Sequence, residues 1–181
     1  HDGSIVRKGR SEIMSKSKKN VVDPEIIIGE YGADTARLFM LSDSPPDRDL
    51  DWTEAGIEGA WRYINRLWRM VSEPKIHLPE TKAPAPKSLT DNMKLIQRTI
   101  HQTIYNVGED LEKFHFNKAI ARIRELTNTL DGMSTNDNGA TWVYGFGMEI
   151  VIRLIGPIIP HVAEEMWAEL GNKTLVIDTA W

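Results

Sequence analysis

Small hydroxyl residues alternate with lysines in the segment Met14–Asn20, which reads Met-Ser-Lys-Ser-Lys-Lys-Asn. A polar loop of this kind offers backbone N–H groups, the hydroxyls of Ser15 and Ser17 and the ammonium group of Lys16 to a single polyanion, as phosphate-binding loops do. The loop leads into Asp23-Pro24, a pair that is typical of a helix start. The chemistry that these residues suit is binding of a nucleoside triphosphate or of nucleic-acid phosphates.

Positive charge is concentrated around this loop. Residues 1–20 carry a net charge of +4, whereas the whole chain of 181 residues carries −4, so the remaining residues carry −8. An acidic bulk argues against broad, nonspecific affinity for nucleic acid. Lysine-rich runs are also common as solvated surface, so charge alone leaves that alternative open.

The order of the residues is more specific than their charge. Met14-Ser15-Lys16-Ser17 resembles the Lys-Met-Ser-Lys-Ser signature loop of class I aminoacyl-tRNA synthetases, with Ile13 at the position of the family's first lysine. The similarity is to leucyl-tRNA synthetases and continues through Tyr31–Phe39, Ser44–Pro46, Leu50–Trp52, Glu58–Ala60, Arg66–Trp68 and Pro157–Trp167. Among the sister enzymes for valine, isoleucine and methionine, the stretch from Pro45 to Trp52 is the reason for preferring leucine.

This resemblance implies a segment of an enzyme that activates leucine with ATP and transfers it to tRNA(Leu). Lys16 is then the catalytic lysine at the ATP phosphates, and Mg²⁺ enters as part of the ATP complex. The role of the missing first lysine could pass to Lys18 or Arg10. Leucine is expected to bind elsewhere in the full-length enzyme, and this chain alone is expected to be inactive. The contacts to the ATP phosphates are implied for Met14, Ser15, Lys16 and Ser17.

A connector and a bundle are predicted to position these residues. The connector, residues 1–50, contains the loop, a short hairpin over residues 4–14 and two helices, Pro24–Glu30 and Asp34–Leu41. Residues 51–181 are predicted to form an antiparallel bundle of about four main helices. The predicted fold class is therefore mainly α, of the anticodon-binding type found in class I synthetases.

Apolar residues at helical spacing define the predicted bundle helices. The first spans 52–72, begins at an Asp51–Glu54 capping box, and directs Ile57, Trp61, Ile64, Trp68 and Val71 inward. Ser88 caps the second, whose apolar seam is Leu89, Met93, Ile96, Ile100, Ile104, Val107 and Leu111. The third begins at Asn117. The last runs from about Ala140 to Leu170 with an interruption over 156–160, because proline removes a backbone donor.

Regularly spaced cations lie on two of these helices. Because the resemblance implies a bundle that lies along the tRNA body, they are predicted to contact tRNA phosphates. Charged faces are also the default for surface helices, and the arginines could instead pair with acidic residues such as Glu58 or Glu73. The predicted tRNA-binding residues are Arg62, Arg66, Arg69, Lys118 and Arg122.

The composition excludes several other classes. The chain has no cysteine, which removes disulfides, thiolate metal sites and cysteine nucleophiles. Its histidines lack metal-ligand spacing, and His161 with Glu165 is interpreted as a helix-start pair, so no protein-bound metal is expected. No apolar run approaches the ~20 residues of a membrane span. We expect a cytoplasmic monomer; the alternatives are a stand-alone nucleic-acid-binding module and a helical scaffold with an accidental resemblance.

Overall fold

A computed structural model describes residues 12–76, 78 and 84–180. Within these ranges the chain forms seven α-helices and one 3-10 turn, without a strand, so the predicted mainly-α fold class is confirmed. The predicted hairpin lies outside the described residues except for Glu12–Met14, which are irregular. None of the helices in the described part is long and apolar enough to cross a membrane.

The helices agree with the predicted ones to within a few residues. A 3-10 turn at Lys16–Lys18 comes first. The predicted interruption of the last helix is confirmed and divides it into two. The helices are α1 (Pro24–Tyr31), α2 (Ala33–Asp43), α3 (Glu54–Ser72), α4 (Asp91–Glu112), α5 (Phe116–Asp131), α6 (Ala140–Ile155) and α7 (Pro160–Glu169).

Two bundle helices begin at threonines that were not predicted as caps. The hydroxyl of Thr53, and not the carboxylate of Asp51, accepts the N–H of Gly56 at 3.2 Å at the start of α3. The hydroxyl of Thr90, and not that of Ser88, accepts the N–H of Met93 at 3.2 Å at the start of α4. The predicted capping box and the predicted Ser88 cap are therefore wrong, since an N-cap must directly precede the first helical turn. Asp23 does cap α1, as predicted.

The core of the bundle lies where α4 packs against α5 and α6. The apolar seam predicted for α4 is buried or half-buried along its length. In α3, however, Trp61 and Trp68 are 45% and 37% exposed, although they were predicted to face inward. Ile57, Ile64 and Val71 are buried as predicted, but the buried stripe also includes Ala60, Tyr63, Leu67 and Met70, which places the two tryptophans at its edge.

Helix α2 packs against α3, α5 and α7, so the end of the connector is part of the packed body. Gly56 permits the close approach of α3, because a Cβ atom there would collide with the ring of Phe39. Phe39 in turn packs edge-on against Trp52, with ring centroids 5.1 Å apart. These contacts fix α2 at the first turn of the bundle.

Arg37 on α2 binds the chain where α6 ends. Its Nε donates to the carbonyl of Ile158 at 2.8 Å, and its Nη2 donates to the carbonyl of Pro157 at 3.0 Å. The last carbonyls of a helix lack intrahelical partners, and here a proline follows. Arg37 satisfies acceptors that the interrupted helix leaves open.

Asp34 on the same helix binds the chain where α7 begins. Its buried carboxylate accepts the backbone N–H of Val162 at 2.7 Å, and its other oxygen lies 2.9 Å from Nδ1 of His161. A carboxylate at this position satisfies an unpaired N–H of the first turn and complements the helix dipole. The partner of His161 is thus Asp34.

We expect Asp34→Ala to lower the free energy of unfolding by about 1–3 kcal/mol, because the N–H of Val162 loses its acceptor. Denaturant unfolding followed by circular dichroism measures the change. The control is Asp47→Ala, which removes an exposed carboxylate from the loop between α2 and α3 and should alter stability by less than about 0.5 kcal/mol. Equal stabilities of the two variants would contradict the capping role.

Candidate functional site

Ser15 and Asn20 close the lysine-containing loop. Ser15 caps the 3-10 turn, its Oγ accepting the N–H of Lys18 at 3.3 Å. The N–H of Ser15 donates to Oδ1 of Asn20 at 2.8 Å, and Nδ2 of Asn20 donates to the carbonyl of Ile13 at 3.4 Å. Asn20 had no role in the sequence-based prediction. The signal that could have identified it is the tendency of asparagine to bond nearby backbone groups in turns.

The Lys16 side chain is exposed and has no ion-pair partner in the described part of the chain. The hydroxyls of Ser15 and Ser17 beside it lie 3.2 Å apart. Lys18 differs, because its ammonium group is 3.0 Å from the carboxylate of Glu12. Lys16 is therefore available to an anion, whereas Lys18 would first have to leave Glu12.

The position of the family's first lysine supplies no cation here. Ile13 is 83% exposed and apolar, and Arg10 lies outside the described residues. Met14 is also exposed, at 42%. In the described part of the loop, Lys16 and Lys19 are exposed and have no ion-pair partner, whereas Lys18 is paired with Glu12.

Lys19 ends the 3-10 turn in a left-handed conformation, with φ 53° and ψ 33°. Its N–H donates to the carbonyl of Lys16 at 3.2 Å. This conformation costs an L-residue roughly 1–2 kcal/mol, and glycine is the residue that adopts it most readily. The closed loop thus includes one strained residue.

An open cleft of about 660 Å³ separates the loop from α1 and α2. Ile13, Met14 and Asn20 line it on one side, and Met40 and Trp52 on the other. Lys16 is not part of the lining. Lys16 is therefore placed on an open surface, where a phosphate group can approach it from solvent.

The five bundle cations predicted to bind tRNA differ in whether they form ion pairs within the protein. Arg62 lies 3.2 Å from Glu58, the partner that the alternative interpretation named. Nε of Arg122 lies 2.5 Å from the carboxylate of Asp110, whose side chain is only 9% exposed. A buried carboxylate needs a cation beside it, so the ion pair of Arg122 with Asp110 joins α5 to α4.

Arg66 joins α3 to the end of α5. Its guanidinium donates to Oδ1 of Asn128 at 2.7 Å and to Oδ2 of Asp131 at 2.8 Å. Lys75 binds the other oxygen of Asp131 at 2.6 Å. Hydrogen bonds from Lys75 and Arg66 lower the pKa of Asp131 below its ordinary value. Arg66 therefore has a structural partner, although not the Glu58 or Glu73 that the sequence suggested.

Arg69 and Lys118 are exposed and have no ion-pair partner within residues 12–76, 78 and 84–180. Of the five predicted cations, these two are available to a phosphate without first breaking an ion pair. Their predicted role, like that of the other three, stays a prediction. Across the described ranges, no group of three or more His, Asp or Glu side chains is arranged to hold a metal ion.

Two sequence families match this chain, and together they define a class of protein. Residues 2–53, which contain the loop, match "tRNA synthetases class I (I, L, M and V)". Residues 93–181 match "Anticodon-binding domain of tRNA ligase". The chain thus has the sequence pattern of a class I tRNA synthetase at its loop and of an anticodon-binding domain in its bundle.

The particular relatives are leucine–tRNA ligases, which confirms the predicted resemblance. The chain is 63% identical over 179 residues to the ligase of Paramagnetospirillum magneticum and 55% identical over 180 residues to that of Rhodospirillum rubrum. Each alignment covers 99% of this chain, but only 20% and 21% of those proteins. The chain therefore spans about a fifth of the length of the relatives it matches.

A solved structure agrees with this assignment. It is the ternary complex of Agrobacterium radiobacter K84 agnB2 LeuRS with tRNA and LeuAMS. It superimposes with a TM-score of 0.76 over 90% of this chain, at 28% sequence identity, and the match covers 21% of that chain. The described helices therefore have the arrangement of the corresponding part of a leucyl-tRNA synthetase.

The lowered pKa of Asp131 predicts a pH-dependent contribution to stability. Above the ordinary value of 3.8 the carboxylate is charged in both states, and its bonds to Lys75 and Arg66 stabilise the folded state. As the pH falls through the lowered folded-state pKa, the carboxylate is protonated and this stabilisation is lost. The free energy of unfolding of the wild type should exceed that of Asp131→Asn by about 1 kcal/mol at pH 7. This difference should shrink below about pH 4. Urea unfolding of both proteins from pH 7 to pH 2 measures it; a difference that does not change with pH would contradict the prediction.

Proposed function

We propose that this chain is the segment of a leucine–tRNA ligase that supplies its ATP-phosphate loop and a tRNA-docking helical bundle. The ligase activates leucine with ATP and transfers it to tRNA(Leu). The observation that carries the proposal is Lys16, which lies between two serines and has no ion-pair partner among the described residues, in a chain 63% identical to a leucine–tRNA ligase. Leucine binds elsewhere in the longer protein.

Lys16 acts at the phosphates when leucine is activated. The leucine carboxylate attacks the α-phosphate of ATP, the bond to the β-phosphate breaks, and pyrophosphate leaves. Negative charge increases on the phosphate oxygens during this step, and a positioned ammonium group stabilises it. Ser15 and Ser17 offer hydroxyls to the same oxygens. Met14, which directly precedes Ser15, belongs to the same proposed phosphate-binding segment. Mg²⁺ arrives with ATP and is not held by this segment.

The bundle docks tRNA(Leu) through its phosphates. We retain the division into a connector, residues 1–50, and a bundle, residues 51–181, as part of the proposal. Arg69 and Lys118 support it because both are exposed cations with no ion-pair partner in the described part of the molecule. Arg62, Arg66 and Arg122 would have to share their cations between a carboxylate and a phosphate. The predictions of a monomer and of a cytoplasmic location belong to the same proposal.

In the full-length ligase, Lys16→Ala is expected to slow leucine activation by roughly 10² to 10³-fold, the usual scale for removing one positioned donor at a developing charge. ATP–pyrophosphate exchange measures the rate, and binding of leucine alone should barely change. Lys87→Ala, which removes an exposed lysine before α4, is the matched control and should behave as the wild type. Activation by Lys16→Ala within a few-fold of the wild type would refute the assignment of the loop.

Replacing both Arg69 and Lys118 by alanine should weaken binding of tRNA(Leu) and flatten its log–log salt slope by up to about two units, since each phosphate contact contributes about 0.7 to 0.9. Filter binding over a salt series measures the slope, and adenylate formation should stay intact. The control removes the same charge from α4, as Lys94→Ala with Arg98→Ala. If the slope of the test variant equals that of the wild type, these two cations do not contact phosphate.

A further inference from the structure

The outward side of α3 carries two Trp-Arg pairs. Trp61-Arg62 and Trp68-Arg69 are seven residues apart in the sequence. Seven residues make about two turns of an α-helix, so the two tryptophans lie on one stripe, with their Cα atoms about 10.5 Å apart along the helix axis. Asn65 lies between them on this stripe. We call these five residues the Trp–Arg face.

The two tryptophans of this face are unusually accessible. Trp61 is 45% exposed and Trp68 is 37% exposed, whereas Trp52 and Trp142 pack against phenylalanine rings and Trp167 is buried. Within the described part of the chain, no aromatic ring or cation lies over either exposed indole. Large aromatic side chains that a fold leaves open mark surfaces that a partner covers.

The space between the two indoles is left open. Asn65 bends back along the helix, and its Nδ2 donates to the carbonyl of Trp61 at 2.9 Å. The residue between the tryptophans is therefore short and bound to its own helix. A flat group can approach each indole without displacing a long side chain from this position.

The electrostatic surroundings favour a polyanion as the partner. Residues 61–75 carry a net charge of +3 in a chain whose total is −4. Arg69 has no ion-pair partner among the described residues, and Arg62 lies 3.2 Å from Glu58. Asp131 binds two further cations of the segment. With both of these carboxylates counted, the segment remains positive, so it attracts a chain of phosphates.

We propose that Trp61 and Trp68 each stack on an unpaired base of tRNA, while Arg62 and Arg69 attract the adjoining phosphates. Aromatic rings interleaved with cations suit single-stranded nucleic acid, because every base has a π-face and every nucleotide carries a phosphate. The inference rests on the proposed function, since it takes tRNA as the ligand. It adds base stacking to the phosphate contacts proposed above.

The separation of the tryptophans selects unpaired bases over a stem. Successive bases on one strand of a duplex are about 3.4 Å apart, roughly a third of the distance between the two tryptophans along α3. Bases inside a stem are also covered on both faces by their neighbours. Bases of a loop can separate from one another and stack on aromatic side chains. The face therefore fits two bases that are not stacked on each other.

The double variant Trp61→Leu with Trp68→Leu removes both π-faces and keeps apolar side chains. In the full-length ligase it is expected to weaken binding of tRNA(Leu) by about ten-fold or more in filter binding, because base stacking on the two rings is lost. Stacking involves no charge, so the log–log salt dependence should shift in parallel, with its slope unchanged. Leucine activation should stay at the wild-type rate.

Two further variants separate stacking from packing. Trp61→Phe with Trp68→Phe retains aromatic rings at both positions and should bind tRNA(Leu) more tightly than the double leucine variant, at least three-fold by the estimate that Phe also stacks bases. Tyr105→Leu removes a ring from α4 that is 69% exposed and should stay within about two-fold of the wild type. The melting temperature of each variant is measured alongside its affinity.

The possible results distinguish this inference from the proposed function. Wild-type affinity in the double leucine variant would overturn the inference while the ligase assignment stands. A lower melting temperature with unchanged affinity would do the same and show that another part of the ligase, or a second copy, covers the face. Equal losses in the leucine and phenylalanine variants, or a flattened salt slope, would overturn base stacking. A wild type that neither activates leucine nor binds tRNA(Leu) would overturn the proposed function together with the inference.

Discussion

The interrupted chain between α6 and α7 is the constraint on which the packing of this molecule depends. Proline and glycine over residues 156–160 end one helix and begin another, and each end leaves backbone groups that need partners. Arg37 supplies donors to the carbonyls and Asp34 supplies an acceptor to the N–H, from a helix 120 or more residues away in sequence. Only the short helix α1 separates the lysine-containing loop from α2. Arg37 and Asp34 therefore connect the region that follows the loop to the junction of α6 and α7.

The distribution of carboxylates decides which cations remain available for binding. Glu12 engages Lys18, Asp110 engages Arg122, and Asp131 engages Arg66 together with Lys75. Lys16 and Lys19 on the loop, and Arg69 and Lys118 on the bundle, are exposed and have no ion-pair partner among the described residues. Positive charge is thus paired with a carboxylate at some positions and exposed to solvent without a partner at others. A row of arginines in a sequence therefore says less about binding than the positions of the acidic residues that face it.

The helices were predictable because their apolar spacing is local, and the break at residues 156–160 was predictable because proline acts locally. The caps of α3 and α4 were missed, since several hydroxyl and acidic residues precede each helix and any of them suits a cap. Trp61 and Trp68 were predicted to be buried because apolar character alone cannot give the rotation of a helix; Ala60 and Tyr63 set that rotation through packing. The roles of Arg37 and Asp34 depend on neighbours distant in sequence. The residue types of the loop and their order indicated a phosphate site. The hydrogen bonds that Asn20 makes across the loop and the ion pair of Lys18 could be seen only in the structure.

The left-handed Lys19 gives the loop a closed form that is only weakly preferred. Strain of roughly 1–2 kcal/mol at this residue is comparable to the net stabilisation, about 1 kcal/mol each, of the hydrogen bonds that Asn20 makes across the loop. Two opposing contributions of similar size produce a shallow energy minimum, in which neighbouring conformations are populated at thermal energies. A shallow minimum allows the backbone around Lys16 to remodel about a guest at little cost, and to return once the guest departs. A glycine in place of Lys19 would deepen that minimum and make the closed form more persistent.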